Sequence, residues 1–260
     1  MNLKGKGGLL VLFTIILSGL GAAACTSASS NSYSQTNNGS GDKGEMKNIN
    51  REAAAAVNSV RGAAVTYVAL GDSTGVGVGA KSGGGYVARL FKRIEHEHPG
   101  SRLKNFCVSG ATTADVLRSQ VGQVTQARPT LITLGIGIND IGHGVTPEQF
   151  AANYEEIIKR LRAASSAPIV VANIPDVSLA PVVPAFYKEE AHSRVVLFND
   201  KIREIAARRN LVVADAYSET REVIPQHPEF FSQDGFHPSD IGYEYWAKTM
   251  WPTVKEALGQ

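Results

Sequence analysis

The chain has 260 residues, 43% hydrophobic and 19% charged, which is enough for one sizeable domain with a full core. Its formal net charge is +2, carried by Lys4 and Lys6 ahead of Cys25, so the remainder is balanced. That balance excludes the basic footprint of a nucleic-acid-binding protein, and two cysteines exclude a disulfide framework.

The N-terminus reads as an export signal. Lys4 and Lys6 give a short positive region, Leu9 to Leu20 an apolar core, and Ala22-Ala23-Ala24 a small-residue cleavage site. The apolar core is too short to span a bilayer comfortably. Cys25 directly after the small residues resembles a bacterial lipoprotein signal, although Ala22 stands where Leu or a similar residue is usual. The resemblance implies a thiol acylated after cleavage and a protein exported to the bacterial cell envelope, held on a membrane by an N-terminal lipid anchor. Residues 25–60 are rich in Ser, Asn, Gly and Thr and are expected to be a flexible tether, with a short helix leading in over residues 51 to 61. Residues 61–260 form the predicted domain. Cys107 lies in an apolar run and is expected to be a core thiol.

From Val65 onward, apolar runs alternate with helical patterns. Strands are expected at Val65 to Leu70, Leu103 to Val108, Leu131 to Gly135, Ile169 to Ile174 and Leu211 to Ala214. Their continuous apolar character suits strands buried on both faces of a parallel sheet. Between them, Val87, Leu90, Phe91 and Ile94 share one helix face, and Phe150, Tyr154, Ile157, Ile158 and Leu161 share another. Thr146, Pro147 and Gln149 read as the cap, first-turn proline and capping box of the second helix. A last helix starts near Asp240, with Pro252 expected to kink or break it. The fold class is therefore α/β, a three-layer α/β/α sandwich around a five-stranded parallel sheet. Ligands in such sheets bind beyond the carboxyl ends of the strands.

The first strand runs into Gly71-Asp72-Ser73-Thr74-Gly75-Val76-Gly77-Val78-Gly79-Ala80-Lys81-Ser82. Gly75, Gly77 and Ala80 have dinucleotide-fingerprint spacing, but no acidic residue closes a second strand. Gly75 to Ser82 would fit a phosphate loop only if Ala80 were Gly, and the loop needs that glycine for its backbone. Gly71 to Gly75 fits G-x-S-x-G, yet the nucleophile elbow of α/β-hydrolases follows several strands, and here there is one. At the far end, Asp234-Gly235-Phe236-His237-Pro238 places a carboxylate and an imidazole three residues apart on one turn. A histidine base needs one ring nitrogen free and the other N–H held by an acid, which a rigid turn supplies; an incidental histidine on a surface turn is the alternative.

Four segments in order, Gly71-Asp72-Ser73, Ser109-Gly110-Ala111-Thr112, Gly137-Ile138-Asn139-Asp140 and Asp234-Gly235-Phe236-His237-Pro238, resemble the four blocks of the SGNH hydrolases, also called GDSL lipases and esterases. Ile138 departs from the glycine usual in the third block. The resemblance implies a flavodoxin-like fold and a serine esterase acting on small acyl, lipid or acylated-glycan esters, with no cofactor, no metal and a monomeric chain. By it, Ser73 is the nucleophile, His237 the general base and Asp234 its orienting acid. The oxyanion hole is Ser73 N–H, Gly110 N–H and the Asn139 amide. A non-catalytic envelope-binding protein on the same scaffold is the alternative. His96, His98, Glu189, Glu190 and His192 read as solvated charge, and His143 and His227 have no assigned role. The stretch Val177 to Ala191, with Val182, Val183, Phe186 and Tyr187, reads either as an acyl-binding wall or cover or as ordinary loop packing.

Overall fold

Five short strands, β1 (Thr66–Gly71), β2 (Arg102–Asn105), β3 (Leu131–Gly135), β4 (Ile169–Ala172) and β5 (Val212–Ala214), pair in the order β2-β1-β3-β4-β5, every pair parallel. The structure, a computed structural model, describes residues 62–260. The expected signal, Cys25, tether and lead-in helix lie outside these residues. Among them no helix is long and apolar enough to cross a membrane.

Side-chain alternation along β1 explains the layers. Val68 and Leu70 face one core and Tyr67 and Ala69 the other, all fully buried. The first core is closed by α4 (Pro147–Ala164) and α5 (Ala185–Arg209) through Phe150, Tyr154, Ile157, Phe198 and Ile202. The second is closed by α2 (Tyr86–Glu97) and α7 (Asp240–Ala257) through Val87, Leu90, Ile94, Tyr243 and Met250. The result is the expected α/β/α sandwich. The chain moves from β1 outward to β2, then crosses back to place β3 on β1's other side. The switch point therefore falls between the carboxyl ends of β1 and β3, where such sheets open a crevice. Short helices α1 (Ser73–Val76) and α3 (Ile138–Gly142) begin there, and α6 (Ala216–Val223) follows β5.

Three local expectations change. β2 is an exposed edge strand over Arg102–Asn105, not a buried one reaching Val108. Phe106 and Val108 still donate to Ala69 and Gly71 carbonyls (2.8 and 3.1 Å), so the chain stays alongside β1 past the regular ladder. Thr146 caps α4 by accepting from Gln149 N (3.2 Å), but the Gln149 side chain turns to Asn153, so half of the capping box is made. Helix α7 continues through Pro252 to Ala257 instead of breaking. Pro252 and Lys248, whose carbonyl the proline leaves without its helical donor, are both exposed, so water can satisfy that group.

His98, expected to be solvated, is buried. Its Nδ1 bonds the Ala63 carbonyl (2.8 Å), which fixes the N–H on Nδ1, and its Nε2 then accepts from the Gln260 amide (2.9 Å). This histidine joins the first described residues to the last, beside the amino end of β1.

Candidate active site

The carboxyl end of β1 is held by a side chain. Gln120, wholly buried, accepts from Gly71 N (2.9 Å) and donates to Gly71 O (2.8 Å). Val108 N also reaches that carbonyl, so only the Gly71 N–H and the side-chain amide depend on the pair. Gln120→Ala should lower stability by about 1–3 kcal/mol, the cost of an orphaned buried donor. Denaturant unfolding measures this, and an unchanged midpoint would refute the clamp.

Asp72 turns the chain after β1. Its Oδ1 accepts from Thr74 N (2.9 Å) and Thr74 Oγ1 (2.8 Å), capping α1 so that Ser73 is the first helical residue. Gly77 ends α1 in the left-handed region at φ 101°, where a Cβ would lie 2.3 Å from Gly85 N. The serine thus sits on a one-turn hairpin of backbone packed against a glycine loop. Burial raises the Asp72 carboxyl above its ordinary value, opposed by the Thr74 bonds.

The Asp234 turn arrives from 161 residues further along. Asp234 Oδ1 accepts from Phe236 N (2.8 Å), His237 N (2.9 Å) and Ser232 Oγ (2.8 Å), a local net that Gly235 permits at φ 67°. Asp234 Oδ2 meets His237 Nδ1 at 2.6 Å, and His237 Nε2 meets Ser73 Oγ at 3.0 Å. With an acceptor at Nδ1, that nitrogen carries the proton and Nε2 is left to accept from the serine hydroxyl. Burial alone would raise the Asp234 carboxyl; the bonds from His237, the two amides and Ser232 outweigh it and hold the group below the ordinary carboxylate value. Asp234 therefore stays ionised at neutral pH.

The remaining expected residues lie on two linked loops. Gly110 adopts φ 77° just after the β2 extension, which a side chain would resist. Asn139, nearly buried at the start of α3, donates through Nδ2 to Ala111 O (2.9 Å), so the Gly110 and Asn139 loops are bonded to one another. Asp140, fully buried, takes Thr113 N (2.9 Å) and the Thr113 hydroxyl, and that hydroxyl also accepts from Asn153 on α4 (3.1 Å). Burial pushes the Asp140 carboxyl up to about 6 against the lowering effect of the Thr113 bonds. Sequence alone marked Asp140 only as part of a motif; that it is a buried fastener emerges from the fold.

The other flagged residues do not converge. Among the described residues no cluster of three or more His, Cys, Asp and Glu side chains could hold a metal. His143 is exposed, and His227 pairs with Glu229 (2.8 Å). His192, expected as solvated charge, bonds the buried Asp176 (2.9 Å), which also takes Arg221 and Ser178. The Cys107 thiol lies behind the Ser73 turn, where a Cβ on Gly75 would come within 2.3 Å of it, and burial pushes its pKa up. Val182 N donates to Gly235 O (3.2 Å), so the Val177 to Ala191 stretch touches the aspartate turn, while Phe186 points 80% of its surface to solvent. A separate apolar cavity of about 80 Å³ opens beside His237.

Known proteins resemble this chain in sequence and in fold. Residues 69–245 match the GDSL-like Lipase/Acylhydrolase family. The chain is 26% identical to "Esterase TesA" of Pseudomonas aeruginosa over 196 residues, 75% of this chain and 90% of that protein. A "Lipase" of Streptomyces rimosus is 40% identical over 101 residues, 36% of this chain and 37% of its own. In fold, it superposes with a TM-score of 0.59 on the lipase/acylhydrolase from Enterococcus faecalis, at 24% identity over 73% of this chain and 95% of that one. A site at the β1–β3 switch point, carrying all four blocks in order, and a family match over most of the chain lead to one assignment: the chain belongs to the GDSL-like Lipase/Acylhydrolase family and is a serine ester hydrolase of the SGNH type.

Proposed function

We propose that the chain hydrolyses carboxylic acyl esters through an acyl-enzyme on Ser73. The observation that carries this is the unbroken hydrogen-bond chain from Asp234 through His237 to Ser73. His237 Nε2 takes the Ser73 proton as Oγ attacks the ester carbon, and the carbonyl oxygen becomes an oxyanion. Asp234 holds the imidazole in the tautomer that can accept, and stabilises the imidazolium that results. The Ser73 and Gly110 N–H groups and the Asn139 amide stabilise the oxyanion. Collapse breaks the C–O bond to the alcohol, which leaves with the proton from His237. Water, deprotonated by the same nitrogen, then attacks the acyl-Ser73 ester and returns the serine and a free acid.

A fluorophosphonate probe tests the assignment of the nucleophile: it should label Ser73 and leave Ser73→Ala unmarked, while label retained by the variant sinks it. The substrate is read as a small acyl, lipid or acylated-glycan ester.

The N-terminal sequence supports a second element of the proposal, that the enzyme is exported and held at a bacterial membrane by acylation of Cys25. One acyl chain binds a membrane only marginally, so two or more are required for firm attachment. Mass spectrometry of the mature N-terminus should find a lipidated Cys25. An unmodified cysteine, or a start elsewhere, removes the anchor and leaves the hydrolase reading untouched.

A further inference from the structure

We propose that the loop from Asp176 to Val183 is a strut holding the Asp234 carboxylate in place, with Val182 as its positioning residue; the proposal rests on the reading of Ser73, His237 and Asp234 as the reacting unit. One peptide carries the argument. The carbonyl of Gly235 accepts from Val182 N (3.2 Å), and the N–H of the same peptide unit, on Phe236, donates to Asp234 Oδ1 (2.8 Å). A planar peptide turns as one body, so fixing its carbonyl fixes where its N–H points. A bond accepted at the carbonyl also polarises the amide and makes its N–H a stronger donor. Ser232 Oγ and His237 N reach the same Asp234 oxygen from within the turn, whereas Val182 holds the turn from another element.

The loop is built to stay in position. Its root is Asp176, whose buried carboxylate takes Ser178 N (3.1 Å), Ser178 Oγ (2.6 Å), His192 Nδ1 on α5 (2.9 Å) and Arg221 on α6. Those bonds tie the segment leaving β4 to two helices. A single 3₁₀ turn, Val177–Leu179, follows. Next comes the tight turn Ala180-Pro181-Val182-Val183, closed by Val183 N on Ala180 O (3.0 Å). Proline in second place presets its backbone. Val177, Ala180 and Val183 are buried in the core, so both ends of the turn are sunk while Val182 offers its N–H to the Gly235 carbonyl. Gly235 admits this approach: at φ 67°, a Cβ there would stand 3.4 Å from both Pro181 Cβ and Val182 N. Two turns therefore pack back to back, one rooted in the core and one carrying Asp234. A cover that swings would have to draw three residues out of the core, so the segment acts as a brace.

The test deletes one N–H. Val182 is replaced by α-hydroxyvaline, which puts an ester at that position and keeps every side chain, and the full chain is assayed on p-nitrophenyl acetate. The value of kcat should fall about ten- to a hundredfold with KM little changed. That is the penalty of a small misplacement, below the about ten-thousandfold loss of an orienting acid itself. The proton between Asp234 Oδ2 and His237 Nδ1 should give a far-downfield NMR resonance that moves or broadens in the variant. Tm should drop by no more than about 2–4 °C, the share of one hydrogen bond. Phe186→Ala, further along the chain and 80% exposed, should leave kcat and the resonance unchanged. A kcat within twofold of wild type, an unmoved resonance, or an effect confined to KM overturns the proposal, as does an equal loss in Phe186→Ala. A wild type that hydrolyses no ester and takes no fluorophosphonate at Ser73 fails the nucleophile reading instead, and the resonance then still decides whether Val182 holds Asp234.

Discussion

Ser73→Ala is expected to lower kcat on a p-nitrophenyl ester by about a millionfold, the size of loss that follows removal of the nucleophile from a Ser–His–Asp unit. The residual rate over water would come from the oxyanion donors and binding, which the substitution leaves in place. The fold should survive. Ser73 opens α1, but the turn is held by Asp72, Thr74, Gly77 and Gln120, none of which depends on the Ser73 hydroxyl. What is lost is one hydrogen bond to His237, about 1 kcal/mol, or about 2–4 °C in Tm for a domain of this size. Steady-state kinetics and a thermal melt on the same preparation decide it. Turnover within tenfold of wild type would mean that another group attacks the ester. A collapsed melt would mean that the serine is a structural residue of the turn.

The second large effect belongs to the Asn139-Asp140 pair. On the proposed oxyanion role of its amide, Asn139→Ala should lower kcat by about a hundred- to a thousandfold with KM little changed. The neighbouring Asp140 looks in sequence like a bystander and therefore a fair control, but its buried carboxylate fastens Thr113, so it is not one. Asp140→Ala leaves the Thr113 N–H without a partner and should cost about 1–3 kcal/mol in stability, dragging activity down with Tm. Asp140→Asn is the better control, because its amide can accept from Thr113 N and donate to the hydroxyl. The carboxyl also has a pH signature. Its folded pKa of about 6 lies above the unfolded value of about 3.9, so the native state binds the extra proton between them. Wild-type stability should fall as pH rises through that window, relative to Asp140→Asn, which does not titrate. Melts of both at pH 4 and pH 7 should show wild type losing ground at the higher pH. A constant difference would refute the pKa assignment, and a fall in Asn139→Ala confined to KM would make the residue a binding contact.

These contrasts mark what could be read from the sequence. The aspartate–histidine unit is legible because it is local: two side chains three positions apart on one turn, with a glycine where the backbone requires it. The four blocks in order place the serine by resemblance, since nothing in periodicity links Ser73 to a histidine 164 positions away. The sheet is legible for its three central strands, whose apolar runs are buried on both faces, and less so at β2. There Phe106, Cys107 and Val108 carry strand-like character, but position at the sheet edge decides the ladder, and that position is a property of chain order. Gln120 went unread, Asp140 was marked only as part of a motif and His98 was misread as solvated charge, all for one reason. Each acts by bonding partners distant in sequence, and a polar residue inside a helical run carries no signal of such a target. The cavity is likewise assembled from segments that meet only in the fold.

The His98 clasp has a consequence for how this enzyme meets its substrate. It fixes Ala63 and Gln260 together beside the amino end of β1, and Ser73 follows β1's other end. Six strand residues at about 3.3 Å each separate the two, about 20 Å of sheet. The described chain therefore enters the domain at one pole, while the Ser73 cleft looks out from the other. Were the proposed Cys25 anchor present and the chain between short, that cleft would face away from the membrane, towards esters approaching from the opposite side. Reaching esters in that same membrane would require the domain to turn over.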